Sequence, residues 1–118
     1  MAASSSAARR ASEELAATSG YELEVVDLRS VKPLDVETIL DSVARTARLL
    51  VVSEDFPWGG VAAEVVAQVS AHGFHLLDAP PLRLSAHDTP IPAHPDLWKA
   101  HRPSAASIAE AARYLISL

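Results

Sequence analysis

Behind Asp35 the apolar residues Val36, Ile39, Leu40 and Val43 fall at i, i+3, i+4 and i+7, which puts a single stripe along one helix face. The Asp35 carboxylate suits the N-cap, and the helix is expected to end near Thr46. The next segment, "RLLVVS" (48–53), has four consecutive apolar residues and fits a strand buried on both faces. Upstream, "YELEVVDL" gathers Leu23, Val25, Val26 and Leu28 into a short β-rich run, so a mostly buried strand is predicted over 22–28. Val61, Val65, Val66 and Val69 mark the buried side of another helix, stopping near Gly73. "PPLRLS" supplies a third strand, and a last helix carries Ile108, Ala111, Ala112 and Leu115 on one face behind a Ser104 cap. At the front, Ala7 to Ala17 is good helix sequence ending near Gly20, a natural C′ residue.

Strands separated by helices of this length form right-handed crossovers, and their sheet is parallel and covered on both sides. The expected fold class is therefore α/β, a three-layer α/β/α sandwich with a mainly parallel sheet. Three strands make a narrow sheet for such a sandwich. No internal repeat or boundary divides residues 1–118, which are read as one domain.

One stretch escapes this periodicity. Residues 76–103, "LLDAPPLRLSAHDTPIPAHPDLWKAHRP", hold six of the eight prolines and three of the five histidines. Beyond the third strand they show little amphipathic pattern, and they read as a stiffened excursion before the last helix.

Composition narrows the function classes. With 49% hydrophobic and 21% charged residues the chain is an ordinary globular one. A net charge of −5, with ten scattered basic residues, argues against a nucleic-acid partner and favours a basic or modestly polar one. The absence of cysteine removes disulfides, thiolate metal sites and cysteine nucleophiles. No apolar run approaches a membrane span, so no membrane partner is expected, and the cytoplasm is the default compartment over the mitochondrial matrix. The Ala/Ser/Arg-rich opening resembles a transit peptide in composition, but Glu13, Glu14 and its helical quality favour a plain first helix.

Candidate chemistry is sparse. Gly59 and Gly60 precede a helix, where amides can hold a phosphate, but neither a dinucleotide fingerprint nor a P-loop is present. Close backbone approach explains them better. His72 and His75 straddle Gly73 and share no helical face, His87 stands beside Asp88, and no zinc-type spacing occurs. No G-x-S-x-G elbow exists. Glu54 and Asp55 lie where α/β proteins place functional groups, yet read as a solvated acidic loop. Trp58 and Trp98 fall in loops, where a large ring either packs locally or anchors an interface. The residues themselves favour association over catalysis.

"LEVVDLRSVKPLDVETILDSVARTARLLVVSED", with "GGVAAEVVAQV", "LLDAPPLRL", "DTPIP" and "RPSAASIAEAARYL", resembles the C-terminal domain of the β subunit of thiamine-diphosphate-dependent 2-oxo acid dehydrogenases, a transketolase C-terminal-like domain. The resemblance covers nearly everything from Ala7 onward. It implies an assembly domain of an E1 component that docks the acyltransferase and works in an enzyme carrying out oxidative decarboxylation of a 2-oxo acid. Thiamine diphosphate and magnesium belong to other parts of that enzyme, so no catalytic, cofactor-binding or metal residue is expected in this chain. The implied partners are other E1 subunits or domains and the small basic subunit-binding domain of the acyltransferase. The implied partner-binding residues are Asp78, Asp88, Pro90, Pro92 and Trp98, with Asp78 as the salt-bridge candidate.

The same likeness implies two further strands ahead of the first helix, one of them lying in the sheet between 22–28 and 48–53. The fold is expected to lack these two strands here, and a sheet missing an inner strand exposes edges that pair with whatever is at hand, so an oligomeric or aggregation-prone chain is expected. Two rival readings stand beside this one. One is a free-standing small-molecule or anion-binding α/β module using Gly59 and Gly60, and the other is a nonfunctional gene remnant.

Overall fold

The computed structural model describes residues 2–118. Helix α1 spans Ala2–Ser19 and α2 spans Val36–Thr46, followed by strand β1, Leu50–Val52. Helix α3 covers Val61–Gly73 and runs into a short 3-10 turn, Phe74–Leu76. Strand β2 is Leu82–Leu84, and α4 (Pro95–His101) and α5 (Ala105–Ser117) complete the chain.

β1 and β2 pair in parallel, with Leu50 opposite Leu82 and Val52 opposite Leu84. The alternation of side chains along β1 divides the core between its two faces. Leu50 and Val52 join Leu84 against α1 and α5, whose buried residues are Ala7, Ala11, Leu15, Ile108, Ala109 and Ala112. Val51 faces the other way, onto Ile39 and Val43 of α2 and Ala62, Val65 and Val69 of α3. The result is the expected three-layer α/β/α sandwich with a parallel sheet.

Local chemistry sets most of the ends. Asp35 accepts a hydrogen bond from the Thr38 amide at 3.1 Å and from its hydroxyl at 2.7 Å, which caps α2 and holds the Asp35 carboxyl below its ordinary pKa. Ser104 and Ser107 bond reciprocally at the start of α5. Gly20 leaves α1 at φ +72, the left-handed conformation that glycine adopts freely. Gly73, the last residue of α3, is glycine for a different reason. Its φ is −141, and an added Cβ would stand 2.6 Å from Leu40 Cδ2, so bare backbone is what lets α3 close on α2.

Three expectations change. Residues 22–28 form no strand, because the groups that would pair them are separated from β1 by an open cleft, and a strand exists only where a neighbour accepts its ladder. The segment is irregular, tied by Ser12 Oγ donating to the Leu23 carbonyl at 3.2 Å and by the Glu24–Arg45 ion pair. On α5 the fully buried position is Ala109, whereas Ala111 is only half-buried. Finally, the excursion contains a short helix, α4, with Pro95 in its first turn and His94 Nδ1 accepting from the Asp96 amide at 3.2 Å.

Candidate interaction surface

Parallel strands gather their carboxyl ends at one edge of the sandwich, and the excursion returns across that edge. Ser53 leaves β1 almost fully buried, donating its amide to the Leu84 carbonyl and accepting from the Asp55 amide at its hydroxyl. The Ala86 amide donates to the Asp55 carbonyl at 3.1 Å, which ties the loop after β1 to the loop after β2.

His101 closes the excursion. Its side chain is buried at 5% exposure, unusual for a histidine on so small a domain. Trp98 stacks on it with ring centroids 5.9 Å apart, Phe56 meets it edge-on at 6.3 Å, and the Thr89 hydroxyl lies 3.2 Å from Nδ1. The His101 carbonyl accepts from the His87 amide at 3.0 Å. Residues 56, 89 and 98 are thus pinned to one imidazole, and residue 87 to the carbonyl of the same residue. Beside it the Arg102 guanidinium sits 5.9 Å from the Trp98 ring and 3.8 Å from Glu54.

Over this anchor the surface is proline-stiffened and apolar. Pro90, Pro92, Leu97 and Ala100 line a shallow depression of about 280 Å³. Ile91 and Leu97 are exposed, and Trp58, at 81% exposure, leaves most of its surface uncovered. Trp98 proves to lie in α4 and not in a loop, and it packs locally to lock the excursion, whereas Trp58 projects from the loop between β1 and α3.

The anticipated contact residues separate into two groups. Pro90, Pro92 and Trp98 lie together at the carboxyl ends of the strands, and Asp88 is exposed in the same loop. Asp78 stands at the opposite ends of the strands, where its amide donates to the Ala47 carbonyl at 2.8 Å. Its side chain is exposed and makes no ion pair among the described residues. Sequence reasoning missed His101 and the Arg102–Glu54 pair. A signal for the first was available in the three aromatic or cationic rings and prolines crowded around residues 94–103, but nothing local marks that histidine as the buried one.

The glycine pair before α3 favours backbone packing. Gly59 needs φ +69, and a Cβ on Gly60 would meet the Phe56 carbonyl at 3.1 Å. The Asp55 carboxylate comes within 3.9 Å of that same Cβ position, where its charge opposes an anion. Among the described residues no group of His, Asp or Glu is arranged to hold a metal ion, and no helix is long and apolar enough to cross a membrane.

The family described as the transketolase C-terminal domain matches residues 2–108. The chain belongs to that family. Among its relatives is the mitochondrial pyruvate dehydrogenase E1 component subunit beta-1 of Arabidopsis thaliana, 42% identical over 106 residues, 90% of this chain and 29% of that protein. The pyruvate dehydrogenase E1 component subunit beta of Rhizobium meliloti is 36% identical over 104 residues, 88% of this chain and 22% of that protein. The acetoin:2,6-dichlorophenolindophenol oxidoreductase subunit beta of Cupriavidus necator is 44% identical over 97 residues, 82% of this chain and 29% of that protein. The transketolase C-terminal domain seen here thus spans about a quarter of the length of the curated relatives it matches. Its α/β sandwich is the fold that the sequence resemblance implies.

Proposed function

We propose that this transketolase C-terminal domain is the assembly and docking domain of a 2-oxo acid dehydrogenase E1 component of β type. In this reading it contributes no catalytic group, and thiamine diphosphate and magnesium are held elsewhere in the complete enzyme. Its partners are other E1 subunits and the basic subunit-binding domain of the acyltransferase. The chain acts as one domain. The observation that carries the reading is the excursion pinned on His101, which holds Pro90, Pro92 and Leu97 as a preformed apolar face. A face ordered before docking loses less entropy on docking. The family relationship to E1 beta subunits supports the choice of partner.

Asp78 and Asp88 are the acidic contacts of this reading, at opposite ends of the strands, which requires two separate contact regions. The test is calorimetric titration of the chain with a subunit-binding domain of a pyruvate dehydrogenase acyltransferase. Asp78→Arg is expected to weaken binding by about tenfold or more, since reversing a charge against a basic partner costs at least about 1.4 kcal/mol. Unchanged affinity in Asp78→Arg removes that residue's role. No binding by the unaltered chain removes the docking function.

A further inference from the structure

Trp58 stands in the solvent although the loop that carries it is fastened at several points. The Asp55 amide donates to Ser53 Oγ at 3.0 Å, and the Asp55 carbonyl accepts from the Ala86 amide at 3.1 Å. Arg83 reaches over from β2 and donates through Nη1 to the Pro57 carbonyl at 2.7 Å. Gly60 lies so near the Phe56 carbonyl that a Cβ there would stand 3.1 Å away, which draws the two limbs of the loop together. Phe56 joins the loop to the excursion through its edge contact with His101. The indole itself sits between Pro57, whose ring fixes φ, and Gly59 at φ +69. Its exposure therefore belongs to an ordered loop.

We infer that, within the assembly role proposed above and resting on it, Trp58 is the anchor by which the carboxyl ends of the strands bind another E1 subunit, its indole seated in an apolar pocket with a cationic rim. A tryptophan ring can bury roughly 150–250 Å² on contact. Backbone already fixed across residues 55–60 loses little freedom when that contact forms. Tryptophan is also among the residue types that carry most of an interface's binding energy.

Charge describes the rim of the pocket. Glu54 is taken by Arg102, whereas Asp55 and Asp88 are exposed at this end and make no ion pair among the described residues. A lysine or arginine beside the pocket complements them. Placement selects the partner. In the reading above the basic subunit-binding domain is drawn to Asp78, at the amino ends of the strands, and Trp58 follows β1 at their carboxyl ends. A small domain seated on the one end leaves the other open, so Trp58 falls to the subunit contact and both partners bind at once.

The chain labelled with fluorotryptophan gives one fluorine signal for each of its two tryptophans, and the signal missing from Trp58→Phe is that of Trp58. The probe is the E1 subunit alpha of a pyruvate dehydrogenase. Its addition is expected to move the Trp58 signal and remove the sensitivity of that signal to deuterium oxide. Trp58→Ala is expected to weaken binding by about thirtyfold or more, equivalent to about 2 kcal/mol. Arg83→Met keeps the indole and frees the loop, so a loss of about threefold to tenfold is expected. Binding with the Trp58 signal unmoved, or with Trp58→Ala at full affinity, overturns the anchor and leaves the assembly role standing. Absence of binding by the unaltered chain overturns that role and the anchor with it. A Trp58 signal moved by the subunit-binding domain, or by raising the concentration of the chain alone, overturns the choice of partner.

Discussion

Replacing His101 by alanine tests whether one buried imidazole holds the excursion in place. The side chain contributes a stacked contact with Trp98, an edge contact with Phe56 and a hydrogen bond with Thr89. Aromatic pairs contribute about 0.5–1.5 kcal/mol each beyond burial. The hydrogen bond adds about 1 kcal/mol. His101→Ala is therefore expected to lower stability by about 2–4 kcal/mol, a large share of what a domain of this size possesses. His101→Phe keeps both ring contacts and loses only the bond to Thr89, so about 1 kcal/mol is expected. Urea unfolding followed by circular dichroism gives both values, and limited proteolysis locates the damage. In the alanine variant, cleavage should concentrate between residues 86 and 102 before the sandwich unfolds. An alanine variant within about 0.5 kcal/mol of the unaltered chain, where ordinary surface substitutions fall, refutes the keystone role. So does a phenylalanine variant as damaged as the alanine one.

Two further outcomes follow from the two layers. Leu15 is fully buried between α1 and α5, and Leu15→Ala should cost about 2–5 kcal/mol, read from the urea midpoint at constant slope. The Arg45 guanidinium, by hydrogen bond and charge, holds the Glu24 carboxyl below its ordinary pKa. Because the folded value is the lower one, the contribution is present above the unfolded carboxylate pKa of about 4.3 and disappears as pH falls through the folded value. Glu24→Gln should therefore flatten the loss of stability below about pH 4, and parallel acid limbs in the two proteins would contradict the pairing.

Helices were the most legible elements because their signal is local. The stripe Val36, Ile39, Leu40, Val43 and the Asp35 cap carry all that α2 needs. At Gly73 the boundary is right, and the glycine answers a second demand: an added Cβ would stand 2.6 Å from Leu40 Cδ2, which sequence spacing cannot display. Residues 22–28 have strand-forming side chains, but their pairing depends on what lies across 370 Å³ of open cleft. Helix α4 left one readable mark, Pro95 in its first turn, which the density of prolines around it obscured. The spatial grouping of the anticipated contact residues was half legible. Pro90, Pro92 and Trp98 do come together, whereas the separation of Asp78 from Asp88 follows from strand direction and the burial of His101 from tertiary packing alone.

The pairing of α1 with α5 has a consequence in time. Glu14 and Arg113, 3.3 Å apart in space, are 99 residues apart along the chain. By contrast, α2, β1 and α3 follow one another directly and can associate as soon as they exist. During synthesis, at about 5–20 residues per second, the first helix emerges with Ala7, Ala11 and Leu15 uncovered and stays so for several seconds until its companion arrives. Helix α5 is thus the one that finishes α1, and the slowest step of folding should be sensitive to substitutions in α5 and indifferent to those in α2.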